Sequence, residues 1–82
     1  MKSIKMIAWF EENGKLTPVR YQFTGDDGNK TIKIDRIMYQ DEEKLAGNRM
    51  YIYKCQSVIN GIEKVYELKY ELGTCKWFLY KM

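Results

Sequence analysis

The residue types able to do chemistry in this chain are few. There are two cysteines, Cys55 and Cys75, no histidine, and short acidic runs at Asp26-Asp27 and Asp41-Glu42-Glu43. Without histidine the sequence lacks the commonest general base and the commonest neutral metal ligand. Two cysteines alone do not complete a structural zinc site, and neither has an imidazole to activate it as a nucleophile. Asp26-Asp27-Gly28-Asn29 offers oxygen ligands suited to a hard cation. A calcium loop, however, spaces its ligands at alternate positions and closes on a Glu, whereas here the chain runs straight into Lys30-Thr31-Ile32. Asp41, Glu42 and Glu43 could be a metal or acid–base cluster, yet their positions fit a helix start with Asp41 as N-cap. With no Gly-rich phosphate cradle and no Ser-His-Asp set, the expectation is a protein that is not an enzyme and holds no cofactor or metal.

At 82 residues the chain has room for one domain, residues 1–82, and a chain of this size buries only about 60–65% of the surface its unfolded form exposes. Its hydrophobic content of 45% is ordinary for a globular domain, whereas 15% aromatic residues, with seven Tyr, is high. A net charge of +3 permits weak attraction to phosphate or anionic lipid but falls short of a dedicated basic surface. The apolar stretch in MKSIKMIAWF stops at Glu11, too short for a signal segment or a membrane span. A cytoplasmic protein with free thiols and no membrane partner is expected.

Two Asn-Gly dipeptides, Asn13-Gly14 and Asn60-Gly61, lie between runs of alternating apolar and polar residues, the strongest short-range signal for a hairpin. A two-residue turn at Asn13-Gly14 pairs Phe10 with Thr17, Ala8 with Val19, Met6 with Tyr21 and Ile4 with Phe23 on one face. The other face then pairs Glu11 with Leu16, Trp9 with Pro18, Ile7 with Arg20 and Lys5 with Gln22. Proline cannot donate to a ladder, so a local break is expected at Pro18. A turn at Gly25-Asp26-Asp27-Gly28 leads into a strand over about residues 30–39, with Tyr21 facing Ile32 and Arg20 facing Lys33. Residues 40–48 predict one or two helical turns, with Gly47 as the left-handed residue that ends them. Around Asn60-Gly61, Ile59 faces Ile62, Cys55 faces Tyr66 and Tyr53 faces Leu68, while Lys54 faces Glu67 on the reverse side. A last turn at Gly73-Thr74 pairs Tyr70 with Trp77 and Leu68 with Leu79.

The elements that emerge are two three-stranded meanders, each with one apolar face, and neither is stable alone. The expected fold is all-β: a small six-stranded antiparallel barrel or orthogonal sandwich, SH3-like or OB-like in element order, with one short helix between strands 3 and 4.

This register places both cysteines on the core face. They are separated by six residues along a strand, on the order of 20 Å at ~3.3 Å per residue and beyond the ~7 Å that a disulfide spans. The outward face of the first meander collects Lys5, Ile7, Trp9, Arg20 and Lys33. These are candidate ligand-binding residues, because bases stack on aromatic rings, worth roughly 1–3 kcal/mol each, while cations hold phosphates. A binding module that takes a protein partner or a second copy of itself is the first expectation, with Ile7, Trp9, Leu16 and Ile37 as a self-association patch. Weak, sequence-tolerant binding of single-stranded RNA or DNA is the alternative. Trp9 could equally be covered, by strand curvature or by the helix. Arg36 falls in the core-facing parity of the third strand, opposite Thr17, where it either snorkels to solvent or recognises an anion.

Overall fold

The computed structural model describes residues 1–82 and is built from strands alone. These are β1 (Lys2–Phe10), β2 (Leu16–Gly25), β3 (Gly28–Lys33), β4 (Arg36–Leu45), β5 (Asn48–Ile59), β6 (Ile62–Glu71) and β7 (Lys76–Lys81). They form one antiparallel sheet in the order β3-β2-β1-β7-β6-β5-β4, curled into a half-barrel. The expected six strands are therefore seven, and the two halves join edge to edge through β1 and β7, from Lys2–Leu79 to Ile4–Trp77, instead of stacking face to face.

The helix expected over residues 40–48 is replaced by the hairpin β4–β5. Its turn is Ala46-Gly47, with both residues in the left-handed region (φ 51° and 83°), the conformation of a type I′ turn. Each acidic residue that resembled a helix cap instead finds a partner on or across the strands. Asp41 accepts from the Tyr39 hydroxyl at 2.9 Å, Glu42 takes a two-point contact from Arg49 at 2.8 and 3.0 Å, and Glu43 pairs with Lys69 at 3.5 Å. Charge on an edge strand also discourages pairing with other chains.

The strand expected over 30–39 is broken at Ile34-Asp35. There the Ile34 amide donates to the Val19 carbonyl, and the Asp35 amide donates to the Gln56 carbonyl. The chain thus leaves the β2 ladder and joins the β5 ladder within two residues, which puts the consecutive strands β3 and β4 at opposite ends of the sheet. Two buried hydroxyl contacts draw those ends together. Tyr53 donates to the Leu16 carbonyl at 2.7 Å; Ser57 donates to the Lys33 carbonyl at 2.7 Å and lies 2.6 Å from the Tyr66 hydroxyl.

The Asn60-Gly61 hairpin keeps every expected pair, including Cys55–Tyr66, Tyr53–Leu68 and Lys54–Glu67. The last hairpin also keeps Tyr70–Trp77 and Leu68–Leu79. At Asn13-Gly14 the loop holds three residues: the Glu11 amide donates to the Lys15 carbonyl, and only Gly14 has a positive φ, 89°. Pairing near this turn slips by one, giving Phe10–Leu16, Trp9–Thr17 and Ala8–Pro18. A bulge at Val19, beside Pro18, restores Ile7–Arg20 and everything beyond it.

Leu16, expected outward, is consequently buried at 3% exposure, and Pro18 is buried as well. The core gathers on the concave face around Leu16, Tyr21, Ile32, Tyr53, Cys55, Tyr66, Leu68 and Trp77. It is rich in aromatic contacts, with the Tyr21 and Tyr66 rings edge to face at 5.7 Å and the Tyr70 and Trp77 rings 4.8 Å apart.

Candidate functional site

Strand alternation sends Lys5, Ile7 and Trp9 to one face of β1, and the bulge lies on β2, so it leaves that parity intact. The row Ile7–Arg20–Lys33 runs across β1, β2 and β3, with Lys5–Gln22–Thr31 beside it. All five expected residues, Lys5, Ile7, Trp9, Arg20 and Lys33, are exposed on the convex face. No helix is present to cover Trp9, which is 63% exposed, and Ile7 is 57% exposed. A shallow depression of about 230 Å³ opens beside the row, bounded by Lys5, Ile7, Arg20 and Gln22.

The structure does not bring the remaining candidates to this face. Arg36, expected in the core, is exposed opposite Gln56 at the far edge of the sheet, because the corner at Ile34-Asp35 resets the parity of β4. Leu16 and Ile37, expected in an outward patch, pack on the core side. Phe10 joins the exposed apolar set instead. It has core parity, but it lies at the end of β1, past the reach of the core, and is 70% exposed.

Electrostatically the face is uncompensated. Both ion pairs of the structure, Glu42–Arg49 and Glu43–Lys69, lie in the other half, where Lys69 also sits 4.0 Å from the Tyr80 ring. No carboxylate lies within ion-pair distance of Lys5, Arg20 or Lys33. The convex surface of the first half is therefore cationic with an aromatic centre, and that of the second half is charge-matched.

The edge of β1 is as distinctive as its face. Pairing with β7 stops at Ile4–Trp77, so Lys5–Phe10 has a hydrogen-bonded neighbour only on the β2 side. An open cleft of about 580 Å³, lined by Ser3, Ile4, Met6, Cys75, Lys76 and Trp77, marks where the two strands part. Sequence reasoning missed this opening, because no local signal reports where the first and last strands stop pairing.

The thiols separate by environment. Cys55 is buried in the core, where desolvation pushes its pKa up to about 12, so it behaves as a small apolar side chain. Cys75 was expected on the core face, but it is exposed in the β6–β7 turn at φ 60°. Burial also raises the pKa of Tyr53, of Tyr66 and, most strongly, of Tyr21, which lies against Tyr66 and whose hydroxyl has no hydrogen-bond partner. No three His, Cys, Asp or Glu side chains converge in a way that could hold a metal ion, and no helix is long and apolar enough to cross a membrane. No family model matches this chain, and no match to it is found among curated proteins or solved structures.

Proposed function

We propose that this chain is a non-enzymatic interaction module of the cytoplasm that binds protein through the exposed strand β1. The observation that carries the reading is the uncovered pair Ile7 and Trp9, large apolar side chains on one face of a strand whose sheet already has a complete core. Solvent-exposed aromatic residues with cations at their rim match the composition of contact surfaces, in which Trp and Arg dominate the energetics. Both cysteines are unpaired, in keeping with a reducing compartment. The test is a photo-crosslinking amino acid placed at Trp9 and, as a control, at Val65, which is exposed on the other half. In the expressing cell, a protein adduct at position 9 and none at position 65 is the expected result. Absence of any protein adduct at position 9 overturns the reading.

A second reading, weak binding of single-stranded RNA or DNA, is favoured by one observation: Arg20 and Lys33 are adjacent in the row that carries Ile7, with no acidic partner. Phosphate contacts release counterions, so such binding falls steeply as salt rises. It should vanish in an Arg20→Ala, Lys33→Ala double variant that still folds. Salt-insensitive or absent binding excludes it.

A further inference from the structure

Besides Lys5–Phe10 of β1, the outer edges of β3 and β4, Ile62–Tyr66 of β6 and Leu16–Val19 of β2 lack a strand neighbour on one side. Each of these others is guarded, the β6 stretch by Glu63 and Lys64 and the β2 stretch by Pro18. The outer edge of β4 carries Asp41, Glu42, Glu43 and Lys44, and β3 is short and polar. Charged side chains and short length are the usual protection against pairing with another chain. The stretch Met6–Phe10 on the open side of β1 carries no charge at all.

Its backbone groups face outward at defined positions. The Glu11 amide donates to Lys15 on the β2 side. Because successive residues alternate sides, the N–H and C=O groups of Phe10, Ala8 and Met6 point to the open edge. The pair Ala8–Pro18 agrees with this, since Pro18 has no N–H to offer to Ala8.

We infer that this edge is completed by β1 of a second copy of the chain, antiparallel about a two-fold axis through Ala8. The inference rests on β1 as the contact strand and goes further by naming its partner. The segment Lys5-Met6-Ile7-Ala8-Trp9-Phe10-Glu11 is complementary to its own reverse. In the register centred on Ala8, Lys5 faces Glu11 of the second copy, Met6 faces Phe10 and Ile7 faces Trp9. The same contacts recur by symmetry, as an isologous interface requires.

Met6, Ala8 and Phe10, whose backbone groups need partners, exchange main-chain bonds in this register. Ile7 and Trp9 cover each other on the convex face. Glu12 of the second copy then arrives near Lys76 on the rim of the cleft between β1 and β7. Neighbouring registers lose this match. Centred on Ile7, Lys5 faces Trp9 and Glu11 faces Ser3, so neither charge meets its opposite; centred on Trp9, Ile7 and Met6 face Glu11 and Glu12.

The test is charge exchange at two exposed positions. Sedimentation of the wild type should show a dimer, whereas Lys5→Glu and Glu11→Lys, each placing like charges at both ends of the interface, should be monomers with unchanged far-UV circular dichroism. An equimolar mixture of the two variants should restore a heterodimer, and the Lys5→Glu, Glu11→Lys double variant should restore a homodimer. A wild type that remains monomeric at its highest soluble concentration overturns the inference, as does a mixture of the two variants that stays monomeric. Crosslinking at Trp9 to a different protein, with a monomeric wild type, removes the second copy as partner and leaves β1 as a contact strand; no protein adduct at all removes both.

Discussion

Tyr53 in β5 donates its buried hydroxyl to the carbonyl of Leu16 in β2 at 2.7 Å, spanning the open side of the half-barrel between strands that are not neighbours in the sheet. Curling brings these two strands together, and the bond fixes how far the curl goes.

Tyr53→Phe removes that donor and leaves the Leu16 carbonyl without its partner, a loss of about 1–3 kcal/mol. For a domain of this size the thermal midpoint should fall by ~4–8 °C per kcal/mol. An unchanged melt would show that the ends are held by packing alone.

The two thiols should react in sequence. A thiol reagent added to the native protein should modify Cys75, exposed in its turn, while Cys55 reacts only after denaturant is added. Equal native rates for both would contradict the buried position of Cys55.

Stability should fall in alkali. Cys55, Tyr53, Tyr66 and Tyr21 all have folded pKa values raised by burial above ordinary values of 9.0 for Cys and 10.0 for Tyr. The unfolded chain therefore loses these protons first. Their contribution is intact below about pH 9 and declines as pH rises, first through Cys55 and then, above about 10, through the tyrosines. Denaturant midpoints measured from pH 8 to 11 should decrease progressively. A flat profile would mean that these groups are hydrated in the folded protein.

Ala46 holds φ 51° in the β4–β5 turn, a conformation that costs an ordinary L-residue about 1–2 kcal/mol. Ala46→Asn supplies an Asn-Gly turn and should raise the thermal midpoint. A helix over the same residues would be weakened by this change, so the sign of the shift distinguishes the two structures.

Much of the sheet was legible where a turn residue declares its own geometry. Asn60-Gly61, with both residues at positive φ, fixed ten pairs between β5 and β6 without a slip. Ala46-Gly47 makes the same kind of turn with a residue that does not announce it, and the acidic run before it fits a helix cap equally well when only local interactions are weighed. The corner at Ile34-Asp35 has neither Gly nor Pro. It is held by Gln56 and by Val58, whose amide donates to the Asp35 carboxylate at 2.8 Å, and these partners are more than twenty residues away. The convex face of β1 was legible because alternation is local and the slip at Gly14 was absorbed on β2. Arg36 was misplaced because it follows the unseen corner, and the open edge of β1 was invisible because it depends on where the two chain ends stop pairing.

The spatial order of the strands has a consequence for how the chain can be cut. Lys2 and Leu79 are paired neighbours, while β3 and β4, consecutive in the chain, occupy the sheet's two flanks. Joining the ends with a short linker and opening the backbone at Ile34-Asp35 would yield a circular permutant in which every strand pairs only with its immediate successor. That permutant would trade the most distant closure in the molecule for a local hairpin. Because folding speed follows the sequence separation of contacts, it should fold faster than the parent while keeping the same seven-stranded sheet.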